Sequence, residues 1–335
     1  MTTAHVLLNV STTWTANNDI CEKDERVGRS IRNIAAVAAR ELRETPATKE
    51  QAIRIMRDWI QKNNDIKNVR QDESFLLRFL RHKKYSVPMA QQTLLKYLNL
   101  RKFYPNIFTK IDCEDPKIKE ILSNGYIVVS PLRDSKGRRV IVYNMGKFDA
   151  SKFGCWDMCR AHVVVYETLM EDPTDQIFGF THVGDGNGST TAHVTTWNPI
   201  DFARLIKWGE QSIPMRHKEF QLINIPVALK YIIDFAISKV STKMNERLHI
   251  HTNIKNLQNE VDVSCLPTNY GGHIPLQDMI KYTRDLMMEK RQTLLALDEM
   301  EIINASGIIS SRNPSKIIKG DSVSVEGSFR KLEID

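Results

Sequence analysis

Residues 212–247, SIPMRHKEFQLINIPVALKYIIDFAISKVSTKMNER, constrain the fold more than any other stretch. Residues 220–225 read as a short extended segment that Pro226 stops, and a helix follows, because proline is tolerated in a first helical turn and Asn224 is placed to cap it. Over residues 227–240 apolar side chains run nearly all round that helix: Val227, Ala228, Leu229, Tyr231, Ile232, Ile233, Phe235, Ala236, Ile237 and Val240. Lys230, Asp234, Ser238 and Ser241 interrupt them at a spacing of three or four, which puts these on one narrow stripe, with Lys239 outside it. An ordinary surface helix has one apolar stripe against one core. This one has apolar surface for a second neighbour: more protein, a bound lipid or a membrane. Lys243 and Arg247 lie one turn apart beyond it, and Arg216 and Lys218 share a side of the extended segment before it. Apolar surface flanked by cations implies a lipid and an anionic surface.

The rest of the chain limits the alternatives. Its 335 residues make one large domain or two ordinary ones, with a hydrophobic fraction of 41% that suffices for a full core. No apolar run reaches the roughly 18–20 residues that span a bilayer, and the opening MTTAHVLLNVSTTWTANN has no basic stretch ahead of its apolar patch, so a cytosolic protein is expected. Five scattered cysteines (Cys21, Cys113, Cys155, Cys159, Cys265) argue against a disulfide framework, and Cys155 and Cys159 read as packed thiols. A net charge of +7 favours an anionic partner.

Hydrophobic periodicity divides the chain into a polar, loose N-terminus (1–27), a helical region (28–110), an α/β region (111–275), a C-terminal helix (276–305) and a tail (306–335). Helices are expected at 27–44, 48–62, 73–81, 87–103 and 116–124, with Pro46 marking a break. The β-branched runs 125–130 and 140–143 flank the turn sequence DSKG and read as a hairpin. Helices 156–170, 199–211 and 226–240 then alternate with strands near 178–183, 220–225 and 248–251, which predicts a sheet with parallel crossovers covered by helices. Residues 276–303 read as one long amphipathic helix.

Local motifs carry little catalytic chemistry. GDGNG at 184–188 lacks the third glycine of a dinucleotide loop and reads as a turn in which Asp185 bonds backbone amides. His249 and His251 share a strand face and could join His182 on a metal, but no further ligand is in view and a structural role is favoured. Arg78, Arg81, His82, Lys83 and Lys84 read as a solvated basic face without the interleaved aromatics of a nucleic-acid site. No nucleophile with a base can be named, so a non-enzyme without metal or cofactor is expected.

SFLLRFLRHKKYS, the hairpin GYIVVSPLRDSKGRRVIVYNM, SIPMRHKEFQLINIPV, ERLHIH and CLPTNYGG follow in this order across about residues 48–300. Together they closely resemble the CRAL-TRIO lipid-binding family, and within it the branch of the alpha-tocopherol transfer and retinaldehyde-binding proteins. The resemblance implies an α/β fold: a helical N-terminal lobe and a mixed β-sheet with flanking helices, enclosing an apolar cavity closed by a gate helix at 226–240. It implies a phosphoinositide-binding patch of Lys83, Arg216, Lys218, Lys243 and Arg247, all cationic here. It also implies a cavity lined or bordered by His162, Tyr166, Phe180, His182, Leu205, Trp208, Ile223, Ile232 and Phe235, with His162 and Tyr166 standing where the tocopherol protein has small serines. Asn269 replaces the family's usual glutamate before YGG. Met215 and Ile237 replace the glutamate and lysine that serve inositol in the yeast phosphatidylinositol-transfer relatives, which argues against that headgroup inside the cavity. The function implied is a cytoplasmic, monomeric carrier of a small hydrophobic ligand (retinoid, tocopherol or other isoprenoid) that docks on phosphoinositide-bearing membranes, with no nucleic-acid partner. A phosphoinositide-responsive adaptor or a phospholipid-exchange protein is the alternative.

Overall fold

The computed structural model describes residues 34–196 and 198–309; the expected loose N-terminus (1–27) and, from residue 310, the expected tail lie outside them. The chain begins with α1 (Ile34–Leu42), α2 (Pro46–Lys62) and the short strand β1 (Ile66–Lys67). Pro46 opens α2 rather than merely separating two helices: Thr45 Oγ1 accepts from the Thr48 amide at 3.1 Å and Thr48 Oγ1 accepts from the Thr45 amide at 2.8 Å, a reciprocal cap. Next come α3 (Glu73–His82), α4 (Val87–Phe103), α5 (Pro105–Phe108) and α6 (Pro116–Ser123). The Asp72 carboxylate caps α3 by accepting from the Phe75 amide at 3.0 Å.

The structure corrects the reading of the basic run on α3. Arg78 and Arg81 are 1% and 4% exposed rather than solvated, because α3 is a central helix that buries every residue from Phe75 to Arg81. Burial of a guanidinium demands a partner. Arg78 pairs with Glu167 at 2.8 Å and with Glu171, and Arg81 pairs with Glu44 at 2.8 Å and donates to Gln176 at 2.9 Å.

The second half is built on a five-stranded sheet of order β2-β3-β4-β5-β6. The strands β2 (Ile127–Arg133) and β3 (Arg139–Asn144) form the expected antiparallel hairpin. Its turn closes through Gly137 at φ 78°, a left-handed conformation that suits glycine, and through Asp134 Oδ1, which accepts from the Lys136 and Arg138 amides. Then come α7 (Cys155–Met170), α8 (Pro173–Phe178), β4 (Phe180–Asp185), α9 (Thr191–Thr196), α10 (Pro199–Ser212), β5 (His217–Ile223), α11 (Val227–Ile237), α12 (Thr242–Asn245), β6 (Leu248–His251), α13 (Ile254–Glu260), α14 (Leu276–Leu295) and β7 (Glu301–Ile302). The pairs β3–β4, β4–β5 and β5–β6 are parallel.

Strand alternation gives the sheet two apolar faces. Ile127, Val129, Ile141 and Phe180 join the core shared with α7 and the helical lobe, whereas Val128, Val140, Val142, Val183 and Ile223 pack with Leu257, Val261, Tyr270 and Met279. Among the boundaries that differ from expectation, two matter most. The helix expected over 276–303 ends at Leu295. A tighter turn at Ala296–Glu299 buries Leu297, and β7 then pairs with β1, Ile66 opposite Ile302. Strand β5 starts at His217, three residues early. Against β4 it pairs His217 with Phe180 but Glu219 with Thr181, so Lys218 is an extra residue, a bulge.

Candidate functional site

Between the sheet, α7, α10 and α11 lies an apolar cavity of about 380 Å³. Leu229, Ile232, Ile233, Ala236 and Ile237 present the inner face of α11 to it. Val227, Tyr231 and Phe235, spaced by four on the other side, are 70%, 73% and 39% exposed. The excess apolar surface of this helix is thus split between the cavity and the exterior. Its entry is not capped by Asn224 as expected. That residue takes φ 53°, and its Nδ2 donates to Asp185 Oδ1 at 3.0 Å. Asp185 also accepts from the Asn187 amide at 2.8 Å and the Tyr270 hydroxyl at 2.6 Å, so the GDGNG turn anchors the corner from which α11 springs. A Cβ on Gly186 would lie 2.6 Å from the Asn224 carbonyl oxygen, so the two backbones can meet only with glycine there.

Of the residues expected at the cavity, His162, Tyr166, Leu205 and Ile232 line it. The other five do not themselves line it, each for a local reason. Ile223 points to the opposite sheet face, and its neighbours Phe220 and Leu222 line the cavity instead. Trp208 turns to Phe103 and Tyr104, with ring centroids 5.4 and 5.7 Å away. Phe235 faces outward, Phe180 is packed in the core, and the buried His182 is stacked on Phe220 and Tyr143 at 4.5 and 5.8 Å. Tyr126, Tyr143 and His217 line the cavity without having been anticipated. No local pattern marks the two tyrosines, and the bulge at Lys218 is what puts His217 on the face of Phe220.

These side chains form a buried polar line. Tyr126 Oη is 2.8 Å from His162 Nε2; His162 Nδ1 is 3.2 Å from Tyr166 Oη; Tyr166 Oη is 2.9 Å from Tyr143 Oη. Tyr143 Oη bonds His182 Nδ1, and His182 Nε2 is 2.8 Å from His217 Nδ1. Burial holds the histidines neutral. It lowers His162 to about 4, and His217 to about 4 with help from Arg247; it lowers His182 well below the ordinary range, with the neighbouring His217 and His162 adding to the effect. A histidine with a depressed folded-state pKa binds protons more weakly when folded than when unfolded. Stability is therefore lost as pH falls from about 6.5 towards 4, at about 1.4 kcal/mol per pH unit for each such group. Thermal unfolding followed from pH 7 down to about pH 5, above the carboxylate range, should show this fall, and His182→Phe should make it shallower by one group's share. A melting temperature constant across that window would contradict the neutral line.

Beside the cavity is a second pocket, about 730 Å³, into which the fold brings Lys83, Arg216, Lys218, Lys243 and Arg247 together with Arg40 and Lys84. Glu41, on α1, was not anticipated. Its Oε2 pairs with Arg216 at 3.1 Å and Lys218 at 2.8 Å, and these cations hold its carboxyl below the usual range against the opposing effect of burial. Lys83, Lys84, Lys243 and Arg247 make no ion pair among the described residues. Like-charge neighbours lower the Lys243 pKa, Arg247 foremost, while burial lowers that of Lys83. Repulsion stored in such a cluster is relieved by an anion. His217 lines both sites. His249, His251 and His182 do not converge: His251 Nε2 bonds Gln221 at 2.6 Å, and no three His, Cys, Asp or Glu side chains among the described residues are placed to hold a metal ion. No helix among them is long and apolar enough to cross a membrane.

Comparison with known proteins agrees with this architecture. Residues 123–272 match the CRAL/TRIO domain, and residues 45–118 match the Pinta-like UBA domain. Clavesin-1 of Xenopus laevis is 28% identical over 300 residues, covering 88% of this chain and 90% of that protein. Clavesin-2 of Homo sapiens is 28% identical over 248 residues, 74% of this chain and 76% of that one. The crystal structure of Sfh5 aligns with a TM-score of 0.47 at 13% identity, over 75% of this chain and 99% of that one, too distant a match to bear on the site. The domain match spans the whole sheet and the helix that lids its cavity, so residues 123–272 form a domain of the CRAL/TRIO kind.

Proposed function

We propose that this protein carries one small hydrophobic molecule, of retinoid, tocopherol or other isoprenoid type, and docks through the cationic pocket on phosphoinositide-bearing membranes from the cytoplasm. The observation that carries the reading is the pairing of a lidded apolar cavity with a cation cluster at its side. A volume of about 380 Å³ lies near the lower end of ligand pockets and favours a single-chain molecule over a two-tailed phospholipid. Apolar burial drives binding, and the hydroxyls and imidazoles on the wall orient the polar end. Five cations near an anionic bilayer supply about 5 kcal/mol together, enough for reversible docking. Carriage requires no turnover, and a monomer suffices for it.

Mass spectrometry of organic extracts from protein purified out of its native tissue tests the cargo. One isoprenoid in near-stoichiometric amount supports the proposal. Phospholipid alone would replace it with phospholipid exchange, and an empty extract would leave the cationic pocket of an adaptor as the main site. Ala236 is buried on the inner face of α11, so Ala236→Trp should fill the cavity and abolish cargo retention. Retention of wild-type cargo by that variant would place the ligand elsewhere.

A further inference from the structure

The polar line runs unbroken from the cavity to the cationic pocket. Tyr126 ends it inside the cavity. At the other end His217 lines both sites; its Nδ1 is taken by His182, and its Nε2 makes no hydrogen bond among the described residues. His182 lines neither site and is held as a connector by its stacking between Tyr143 and Phe220.

Six neutral groups in such a line, each with one proton, admit two orders that run one way from end to end. In the first, donors point towards the cavity: His217 Nδ1–H donates to His182, and the sequence ends with His162 Nε2–H donating to Tyr126, whose own proton is left for the cavity. In the second, donors point towards the pocket: Tyr126 donates to His162, His182 donates to His217, and His217 presents Nε2–H to the pocket. A break at a histidine sets two donors or two acceptors face to face at a buried contact, which is costly; a break at Tyr166 or Tyr143 does not, because a phenol oxygen can accept twice, and it leaves that hydroxyl's proton for the cavity while His217 still donates to His182. Going from the first order to the second, one proton enters at His217 as one leaves at Tyr126, and each histidine changes tautomer. Every group still holds one proton, so the line stays neutral.

We infer that this line couples the two sites: a phosphate anion accepting from His217 in the cationic pocket holds the second order. The cavity then favours cargo whose polar end donates, an alcohol, over cargo that only accepts, an aldehyde, ketone or ester. The inference rests on the reading of the two sites proposed above. By linkage, alcohol cargo strengthens phosphate binding by the same factor.

The test is fluorescence titration of the delipidated full chain with retinol and with retinaldehyde, polyenes that differ only at the polar end. Each is titrated without anion, with soluble inositol trisphosphate, and with vesicles that contain or lack a phosphoinositide. The ratio of alcohol to aldehyde affinity should rise by about tenfold with phosphate, the effect of one mismatched buried hydrogen bond. It should stay constant in His182→Phe, which keeps the stacking, and in Tyr143→Phe, which removes one hydroxyl. A response to the soluble phosphate shows that free phosphate suffices, and a response only to phosphoinositide vesicles assigns the source to a lipid headgroup; either supports the coupling if both variants lose it. If polyenes and phosphate bind but the ratio does not move, or moves equally in both variants, the coupling is overturned and the site reading stands. If neither polyene binds, or no phosphate binds, the site reading fails and the coupling with it.

Discussion

Replacing both Lys243 and Arg247 by glutamate is expected to weaken binding to phosphoinositide vesicles by roughly a thousandfold. The two reversals remove about four units of positive charge, each worth about 1 kcal/mol at an anionic surface. These two positions are chosen because no carboxylate pairs with them among the described residues, whereas Arg216 and Lys218 already share Glu41. Lys243 and Arg247 repel each other in the free protein, and an anion relieves that repulsion. Vesicle sedimentation at physiological salt measures the loss. Lys281→Glu with Lys290→Glu, on α14, changes net charge equally away from the pocket and serves as the control. Equal binding by both double variants would reduce the pocket to part of a diffuse basic surface.

Replacing Arg78 by methionine is expected to destabilise the fold by about 3–5 kcal/mol, because it strands a buried carboxylate. Arg78 lies between Glu167 at 2.8 Å and Glu171, and over the Phe75 ring at 4.7 Å. Glu171 would keep Arg70 at 2.8 Å, but Glu167 would retain only the Tyr97 hydroxyl at 2.9 Å. Urea unfolding should show the fall, and Glu167→Gln in the same chain should recover part of it by removing the stranded charge. A loss below about 1 kcal/mol would show that the pair is replaceable by packing. Glu167 lies on α7 next to Tyr166, so the variant should also loosen the cavity wall and shorten cargo retention.

Much of this arrangement was legible along the chain because it rests on local physics. The hairpin at DSKG, the alternation of strands with helices and the Pro-led apolar helix follow from turn chemistry and side-chain period, which neighbouring residues carry. The cations at 83, 216, 218, 243 and 247 were assembled through family resemblance, and the fold places them around one pocket. Tertiary structure decided what depends on distant partners. The same basic run contributes Arg78 and Arg81 to the interior and Lys83 and Lys84 to the pocket, because Glu167, Glu171 and Glu44 arrive from other helices to satisfy the first two. One bulge residue, Lys218, turns His217 towards the cavity. Strand alternation sends Ile223 to the far face while Phe220 and Leu222 take the wall. Sequence by itself determined which segments are helix, strand and greasy lid, since those preferences are written in spacing. Which side chains share a cavity, a pocket or a hydrogen-bonded line was decided only by folding, since those contacts join segments that no local pattern relates.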